Sequence, residues 1–363
     1  MSDSIANVPS TMRAWIYSQK GRPSQVIRLD PAFPAPSVSS LQAGEVLVKI
    51  THATFNAGNT LLMQALPTFL RKMPAIPEME FCGTILAAGS NIASSRPELA
   101  VGTVVIGMCP LGEMFRKGRG VLAEYLATTA EAVVSIPRGI STTEAAGIGG
   151  VGCTALQVTD LLGLKRGQSV LVNGGSAGSG VMMVQVAKYL VGETGRVVAT
   201  CSAANAELVR SIGADEVIDY RVNHPLYDYL ITHYATQRFD AIIDCIGIQE
   251  LYLHSPAYLC EGGKYLNIGA YATKTTLAGV FQWTWNQYAN RFCPVWLGGI
   301  PRWYMFYSAT PDVPTLNRVR QMVEEGHLKQ VVDSVWEMED VKKAYERMES
   351  KRTRGKIIIH IQD

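Results

Sequence analysis

The sequence predicts an α/β protein with two domains, in which a doubly wound parallel sheet follows a mostly β domain. The chain has 363 residues, and at roughly 150 residues per domain this length predicts about two domains. Short strands with alternating apolar residues, separated by Gly and Pro, fill residues 1–145. From residue 168 onwards apolar strands alternate with helical segments, an order typical of parallel strands joined by right-handed crossovers.

The composition excludes several classes of protein. Hydrophobic residues make up 47% of the chain and charged residues only 18%, which is typical of a folded rather than a disordered chain. The formal net charge of +2 offers no basic footprint for nucleic acid. The opening residues are polar and no apolar run is long enough to cross a bilayer, so we expect a cytoplasmic protein without membrane contact. The seven cysteines include no C-x-x-C pair, which favours reduced thiols over disulfides or a zinc lobe.

Period-two alternation predicts the strands of the first domain. A helical segment interrupts them at residues 60–69. Ser141 and Glu144 are three residues apart and predict a capping box at the start of a helix that reaches Leu162. The predicted strands cover residues 12–19, 45–56, 83–89, 101–107 and 122–137.

Strands and helices alternate in the second domain until residues 271–310 break the pattern. Two amphipathic helices at residues 313–328 and 339–350 follow, and an apolar strand at residues 354–361 ends the chain. The predicted elements of the alternating part are strands at residues 168–173, 196–202, 216–220, 239–247 and 264–270, and helices at residues 180–191 and 203–213.

Residues 174–180, with the sequence GGSAGSG, form a glycine-rich turn between a predicted strand and a predicted helix. Glycine permits the tight turn and lets the backbone approach a diphosphate, while the free amides of the first helical turn face that anion. Ala177 occupies the position of the middle glycine, so the strand and helix around the motif carry the interpretation. We therefore predict a dinucleotide site, and a purely structural turn is the alternative.

The segment after the second strand of this sheet indicates which dinucleotide binds. An NAD site needs Asp or Glu there to accept from the ribose hydroxyls, and residues 199–205 contain no carboxylate. Ser202 and Asn205 can donate to a 2′-phosphate, and Tyr220 and Arg221 can add an aromatic face and a charge. NADP(H) is therefore favoured over NAD(H), the alternative being that Tyr220 is only a packed strand end.

Several segments together carry a family resemblance: FNAGNTLLMQ (55–64), IPEMEFCGTI (76–85), GRGVLAEYL (118–126), GVGCTALQ (150–157), the glycine-rich turn, IGADEVIDYR (212–221), FDAIIDCIG (239–247), GGKYLNIG (262–269) and RGKIIIHI (354–361). They resemble the medium-chain dehydrogenase/reductase superfamily over nearly the whole chain. The resemblance implies a GroES-like catalytic domain at residues 1–145, completed by residues 311–363. It also implies a Rossmann NADP-binding domain at residues 146–310, with an aromatic-rich insertion at residues 271–307. The final strand would return to the first domain.

Within the superfamily the resemblance is to a branch without zinc. The zinc ligands of the alcohol dehydrogenases would fall near Asn56, Met79 and Gly150, none of which binds Zn²⁺ as a thiolate or an imidazole does. Glu80 alone is not a metal site, so we expect no metal, and without a Lewis acid simple alcohol oxidation is disfavoured. The sequence is similar to the zinc-independent quinone oxidoreductases and enoyl reductases, and among them to fungal trans-acting enoyl reductases that serve polyketide synthases.

The resemblance also implies which residues contact the cofactor. The glycine-rich turn would touch the diphosphate, and the segment after the second strand would touch the adenosine phosphate. The residues expected to bind the cofactor are Ala57, Gly58, Asn59, Thr60, Gly175, Ser176, Ala177, Gly178, Ser179, Ser202, Asn205, Tyr220, Ile268, Gly269 and Lys356.

Asn56 and Thr154 are the expected catalytic residues, and Thr154 is also expected near the substrate. The branch often carries a Tyr or Lys just after the N-x-x-D-like stretch, and that donor is absent here. Asn59 and Glu78 also stand where Asp and Gly are usual. The proton for the reaction would then come from Thr154, from another side chain such as Tyr271, or from water.

Residues 281–307 are unusually aromatic, with ten aromatic residues among 27 and four of the six tryptophans. Three interpretations are open. The segment could pack as core, or it could form an apolar wall for a bulky conjugated substrate through Trp283, Thr284 and Trp285. It could also be a patch for a membrane surface or a protein partner.

A second possible lid lies at residues 110–120, where Arg116, Lys117 and Arg119 could hold a phosphopantetheine or a carboxylate. An ordinary solvated loop is the favoured interpretation of this basic run.

These observations predict an NADPH-dependent reductase that transfers hydride to an activated C=C bond, in an enoyl thioester or an enone. The substrate would be a bulky apolar small molecule or a carrier-bound thioester, and a polyketide synthase is a possible partner. The alternatives are an NADPH-dependent quinone or carbonyl reductase and an NADPH-binding protein of this fold with altered, non-redox chemistry.

Overall fold

A computed structural model of the chain describes residues 8–270 and 275–363, so that Tyr271 lies outside the described residues. The contacts divide the chain into two units, one of Met1–Cys153 with Thr310–Asp363 and one of Thr154–Ala309. The sequence predicts a domain border after residue 145, whereas the contacts divide the chain after Cys153, inside a helix. Within the described ranges no helix combines the length and the apolar character that a membrane span requires.

The N-terminal part of the first unit is rich in strands, as the period-two alternation predicts. The strand predicted at residues 122–137 is two strands separated by a 3₁₀ turn. Three short helices and the second strand were not predicted. The strands are β1 (Thr11–Ile16), β2 (Arg28–Pro34), β3 (Glu45–Thr54), β4 (Glu80–Ala88), β5 (Val104–Met108), β6 (Tyr125–Thr129) and β7 (Val133–Ser135). The helices are α1 (Pro23–Val26), α2 (Ala57–Ala65), α3 (Ile92–Ser95), α4 (Leu111–Lys117) and α5 (Thr142–Ala145).

Local sequence signals set the ends of two of these helices. Helix α2 stops at Ala65 because Leu66, which precedes Pro67, is held in an extended conformation. The capping box predicted for Ser141 and Glu144 is present at the start of α5. The long helix predicted to follow is instead two helices, since α5 is only one turn long and α6 (Gly149–Leu162) begins after it.

The second unit is a parallel sheet with helices between the strands. The spatial order of its strands is β10-β9-β8-β11-β12-β13, which is the Rossmann order and confirms the predicted fold class. The order reverses between β8 and β11, so the switch point where ligands bind in such sheets lies at their carboxyl ends. The strands are β8 (Ser169–Asn173), β9 (Arg196–Cys201), β10 (Glu216–Asp219), β11 (Phe239–Asp244), β12 (Leu259–Asn267) and β13 (Trp303–Phe306). The helices are α7 (Gly180–Val191), α8 (Ala206–Ser211), α9 (Leu226–Tyr234), α10 (Gln249–Leu253) and α11 (Leu277–Phe292).

The C-terminal segment completes the first unit. It consists of α12 (Val313–Glu324), β14 (Val332–Glu337), α13 (Val341–Glu349) and β15 (Lys356–His360). Strand β15 pairs with β3 in antiparallel register, with His360 opposite His52, so the final strand lies in the same sheet as strands of the N-terminal part. It joins a sheet of order β14-β15-β3-β4-β5-β7, in which β6 also pairs with β3.

The two ends of the chain also share one hydrophobic core. Buried residues of β3 and β4, such as Val48 and Phe81, lie in the same cluster as Tyr345 of α13 and Ile359 of β15. Burial of this apolar surface holds the C-terminal segment against the N-terminal strands. The side chains of α13 and β15 can therefore contribute to a site built on the first unit.

Candidate functional site

The glycine-rich turn, residues 174–180, links β8 to α7 as predicted. Gly174 has a φ of 86°, in the left-handed region that favours glycine. A Cβ at Gly180 would lie 2.0 Å from the carbonyl oxygen of Gly174, and a Cβ at Gly175 would lie 2.9 Å from the Cβ of Ala199. The backbone of the turn therefore requires these three glycines.

Buried hydrogen bonds hold this turn at the switch point between β8 and β11. Oδ1 of Asp244 accepts from Nδ2 of Asn173 at 2.7 Å, and Oδ1 of Asn173 accepts from the hydroxyl of Thr200 at 2.7 Å. The Thr200 hydroxyl accepts from the Gly174 amide at 2.9 Å, and the Thr200 carbonyl accepts from the Gly175 amide at 2.8 Å. This network was not predicted from the sequence, although a polar residue at or next to the end of each of these apolar strands was a signal for it.

Asp244 also organises the segment that follows β12. Its backbone carbonyl accepts from the Ile268 amide at 2.9 Å, and the Gly269 amide donates to Oδ1 of Asn267 at 2.8 Å. Tyr265 donates to Oδ2 of Asp244 at 2.7 Å. Burial, and next the charge of Asp244, raise the pKa of Tyr265 well above its usual value, so its hydroxyl stays a donor. Ile268 and Gly269, which are expected to bind the cofactor, therefore lie at the carboxyl end of the sheet.

The turn has the features of an anion site. In the described ranges the amides of Ser176, Gly178 and Ser179 have no protein acceptor. Helix α7 follows them, has twelve residues and carries no acidic residue in its first turn. Free amides and the positive end of the helix dipole attract a phosphate. These residues therefore fit the diphosphate of a nicotinamide dinucleotide.

The residues expected at the adenosine phosphate differ in their contacts and exposure. Nδ2 of Asn205 donates to the hydroxyl of Ser176 at 3.0 Å, which ties the segment after β9 to the turn. Tyr220 is 43% exposed rather than packed as a strand end. The guanidinium of Arg221 lies 6.0 Å from the centre of the Tyr220 ring. Ser202 is buried at the end of β9.

A carboxylate that sequence reasoning missed lies beside this segment. Residues 199–205 contain none, but Asp219 ends the neighbouring strand β10, and its Oδ2 accepts from the Ala203 amide at 3.0 Å. Its Oδ1 accepts from the Arg221 amide at 2.9 Å. Both oxygens of Asp219 are thus engaged by backbone amides. The strand order β10-β9 was the signal, because it brings the ends of these two strands together.

Asn56 and Lys356 are brought together on the first unit. Asn56 is the N-cap residue of α2, but its side chain does not cap the helix. Its Oδ1 instead accepts from Nζ of Lys356 at 2.8 Å. Among the described residues its Nδ2 has no protein acceptor, and Asn56 is half-exposed. Because Oδ1 faces the ammonium, Nδ2 is the end of this amide that can donate to a ligand.

Glu80 is the third member of this group. The Lys356 ammonium also donates to Oε1 of Glu80 at 3.1 Å and to the carbonyl of Phe55 at 3.0 Å. Oε2 of Glu80 accepts from the amides of Gly150 and Val151, at the start of α6. All three donors of Lys356 therefore have protein acceptors, and its contact with a cofactor stays a prediction.

The surroundings of Glu80 and Gly150 indicate whether a metal ion could bind here. A Cβ at Gly150 would lie 2.4 Å from the carboxyl carbon of Glu80, so Glu80 fills the space beside this glycine. In the parts of the chain that the structure describes, no group of three or more His, Cys, Asp or Glu side chains could hold a metal ion. The residues present fit an ion pair between Lys356 and Glu80 rather than a bound cation.

Glu78 forms a second buried group next to Asn56. It is fully buried, and its carboxylate accepts from the Asn56 amide and from Nδ2 of Asn59, both at 2.9 Å, and from the Tyr345 hydroxyl at 2.7 Å. Burial raises its pKa from the ordinary value of 4.5 to about 7, against the lowering effect of these donors and of the Lys356 charge.

This raised pKa predicts how stability depends on pH. A carboxyl group whose pKa is higher in the folded state stabilises the fold below its unfolded pKa, and this contribution is lost as the pH rises through its folded pKa. Between pH 4.5 and about 7, we expect the wild type to lose roughly 3 kcal/mol of unfolding free energy relative to Glu78→Gln. Gln can keep the geometry, because its oxygen accepts from the two amides and its nitrogen donates to the Tyr345 oxygen.

Urea denaturation of both proteins across this pH range measures the difference. Tyr345, Tyr17 and Lys356 are the titratable groups that interact with Glu78, and they are present in both proteins. Parallel stability curves for the two proteins would show that the Glu78 carboxyl does not titrate in this range.

The remaining expected residues, which lie on α2 and α6, differ in exposure. Ala57 and Gly58 are exposed, and Thr60 is half-buried. Asn59 is only 3% exposed and turns its amide to Glu78, so its expected contact with a cofactor stays a prediction. Thr154 is half-buried on α6. Its roles in proton transfer and substrate binding stay predictions too.

The aromatic segment forms α11 and the edge strand β13. Trp283 packs edge-on against Phe306, with ring centres 4.9 Å apart. Thr284 and Trp285 are exposed, and Trp285 is 56% exposed. Core packing therefore describes only part of the segment, and its use as a substrate wall or a partner surface stays open. The large exposed side chains are Phe281, Trp285, Tyr288, Phe292, Val295, Trp296 and Leu297.

The basic run at residues 110–120 is engaged in ion pairs. Lys117 and Arg119 both bind Oε1 of Glu45, at 2.8 and 2.6 Å. Arg116 donates to the Gly112 carbonyl. The prediction of an ordinary solvated loop is wrong, because Leu111–Lys117 form α4. Two of the three cations already have a carboxylate partner, which leaves them less available to a phosphopantetheine or a carboxylate ligand.

Known proteins resemble this chain over almost its whole length. A family model described as alcohol dehydrogenase GroES-like domain matches residues 42–138, and one described as zinc-binding dehydrogenase matches residues 212–359. The chain is 44% identical to the trans-enoyl reductase poxH of Penicillium oxalicum, over 98% of this chain and 99% of that protein.

Solved structures show the same fold. The chain is similar to the quinone oxidoreductase from Coxiella burnetii with a TM-score of 0.77 and 20% identity, over 97% of this chain and 99% of that one. It is also similar to mycobacterial Rv1454c complexed with NADPH, with a TM-score of 0.75 and 20% identity, over 97% of this chain and 100% of that one.

Proposed function

The chain belongs to the medium-chain dehydrogenase/reductase superfamily and is an oxidoreductase, and from this premise we propose that it is an NADPH-dependent reductase of activated C=C bonds. The substrate class is an enoyl thioester or a conjugated enone. One observation carries the proposal. The unpaired amides of the turn lie at the switch point of a chain that is 44% identical to a trans-enoyl reductase.

The second unit binds the cofactor in this proposal. The amides of Ser176, Gly178 and Ser179 would hold the diphosphate, and Ser202, Asn205 and Tyr220 would surround the adenosine phosphate. The preference for NADPH is supported by the exposed Tyr220 beside Arg221 and by the absence of a carboxylate at residues 199–205. Each oxygen of Asp219 already accepts from one backbone amide, so this carboxylate has fewer free acceptor sites for the ribose hydroxyls of NADH.

Three side chains supply the polar chemistry of the reduction in this proposal: Asn56, Lys356 and Thr154. Bound NADPH would supply a hydride from C4 of its nicotinamide ring. Nδ2 of Asn56 would donate to the carbonyl oxygen of the substrate, where negative charge develops as the double bond is reduced. Lys356 fixes the orientation of this amide and, through its charge at Oδ1, makes Nδ2 a stronger donor. Thr154 is the candidate proton donor.

The substrate in this proposal is bulky and apolar, and it is presented by a carrier. The exposed aromatic residues around Trp285 offer apolar surface for such a molecule. The resemblance to trans-acting enoyl reductases implies that a polyketide synthase presents the thioester. Trp283 and Thr284 would share in this contact.

Stopped-flow loss of NADPH absorbance tests the function directly. We expect turnover with an enoyl thioester of pantetheine or with a conjugated enone, and an affinity for NADPH at least about tenfold higher than for NADH. A panel with a quinone and an aldehyde separates quinone and carbonyl reductases from enoyl reductases. Tight NADPH binding without turnover of any acceptor would identify a binding protein instead and would contradict the proposal.

A further inference from the structure

Glu78 combines an unfavourable backbone conformation with a fully buried carboxyl group. Its φ is 68°, in the left-handed region that residues other than glycine rarely adopt. Burial of a carboxylate costs free energy unless donors surround it. A residue held under both costs usually serves a role through its side chain.

The donors around Glu78 indicate that its side chain acts on Asn56. Oε2 accepts from the Asn56 amide and from Nδ2 of Asn59, each at 2.9 Å, and Oε1 accepts from the Tyr345 hydroxyl. The Tyr345 ring also stacks on Phe55, with ring centres 4.0 Å apart. Glu78 and the C-terminal helix α13 therefore hold Asn56 and the residue before it.

Helix capping explains why this acceptor is needed. In a capping box, a carboxylate three residues after the N-cap accepts from the backbone amide of the N-cap residue. Asn56 is the N-cap of α2, and the residue three positions later is Asn59, an amide that itself donates to Glu78. Glu78 supplies from another segment the acceptor that α2 lacks at Asn59.

We propose that Glu78 is a positioning residue for the reduction, whose carboxylate holds the Asn56 backbone so that the Asn56 side-chain amide donates to the substrate carbonyl. This inference rests on the proposed function and deepens it. Asn56 is fixed at two points, its backbone amide by Glu78 and its Oδ1 by Lys356. Glu78 itself is fully buried and acts only through Asn56.

A cycle of substitutions separates this role from a merely structural one. Glu78→Gly removes the acceptor and relieves the left-handed backbone. Asn59→Asp adds a carboxylate at the capping-box position of α2. In the double variant this new carboxylate can accept from the Asn56 amide, while the introduced glycine suits the backbone in place of Glu78. Asn56→Ala gives the loss of activity expected when the donor itself is absent.

We expect Glu78→Gly to lower kcat and to speed hydrogen exchange of the Asn56 amide, each by about tenfold. The double variant should restore both to within about threefold of the wild type. The proposal fails if Glu78→Gly keeps the wild-type kcat, or if the double variant recovers stability without recovering kcat. Glu78→Gln should retain kcat, because Gln keeps an acceptor at the Asn56 amide. A low kcat in Glu78→Gln would overturn the proposal, since it would mean that the charge of Glu78 matters and not its hydrogen bond to Asn56.

Tyr345→Phe is the matched control. It removes the hydroxyl that donates to Oε1 and keeps the ring that stacks on Phe55. Its kcat should stay within about twofold of the wild type, and a loss as large as that of Glu78→Gly would overturn the proposal. Amide exchange at Asn56 is measured without substrate. It therefore tests the hold of Glu78 on Asn56 even if no NADPH turnover occurs and the proposed function fails.

Discussion

Lys356→Met is expected to lower the free energy of unfolding by about 3–5 kcal/mol, because it leaves the Glu80 carboxylate buried without its cation. Both side chains are 2% exposed, and the ammonium lies 3.1 Å from Oε1 of Glu80. The substitution also removes the donor to Oδ1 of Asn56. Water cannot replace these contacts at such low exposure, so the lost interactions are not offset by hydration.

The double variant Lys356→Met with Glu80→Gln distinguishes a lost charge partner from lost packing. A neutral Gln at position 80 can still accept from the amides of Gly150 and Val151 through its oxygen. We expect the double variant to recover most of the stability, as urea denaturation followed by circular dichroism would measure. Equal midpoints for the wild type and Lys356→Met would mean that the ion pair does not stabilise the first unit.

The sequence predicted best those features that depend on neighbours along the chain. Strands β8 to β11 and helices α7 and α8 could be predicted because each is a separate run of apolar residues with a clear period. The capping box of Ser141 and Glu144 spans three residues, and the glycine-rich turn spans seven. Such features need no knowledge of the rest of the fold.

Some elements were missed because their patterns are weak. Helix α11 is an exception, because Phe281, Trp285, Tyr288 and Phe292 recur at helical spacing and were a signal for it, although their side chains are exposed in the structure. Helices α9 and α10 have only nine and five residues, so each offers a short apolar pattern. Strand β14 lies at the edge of its sheet and contains polar residues, so its hydrophobic alternation is incomplete.

The candidate site was predicted only in part, because its contacts join residues that are far apart in the sequence. Asn56 and Lys356 came from a resemblance, but their contact spans 300 residues and is visible only in the fold. The Tyr345 hydroxyl reaches Glu78 across 267 residues. Glu78 stood out in the sequence as unusual, yet its backbone conformation and its three donors could not be derived from local spacing. Long-range burial thus determines the polar contacts that local signals leave undetermined.

Gly180→Ala is expected to weaken NADPH binding at least about a hundredfold, or ~2.7 kcal/mol. A Cβ at this position would lie 2.0 Å from the Gly174 carbonyl oxygen, which is backbone and cannot rotate away as a side chain can. The turn must therefore open, and opening it displaces the amides of Ser176, Gly178 and Ser179 that fit the diphosphate. Isothermal titration calorimetry with NADPH measures the loss.

Two further variants test whether a loss of NADPH affinity is caused by a change in the glycine-rich turn. Thr200→Val keeps the shape of the side chain but removes the hydroxyl that accepts from the Gly174 amide at 2.9 Å. The substitution also removes the donor to Oδ1 of Asn173. Because the turn itself loses one hydrogen bond and suffers no clash, we expect a smaller decrease in NADPH affinity, of about fivefold to tenfold. Gly44→Ala is the matched control, since a Cβ there meets nothing within 4 Å, and it should bind NADPH as the wild type does. If Gly180→Ala also bound NADPH with wild-type affinity, the diphosphate could not lie against these amides, and the cofactor site would have to be sought elsewhere on the second unit.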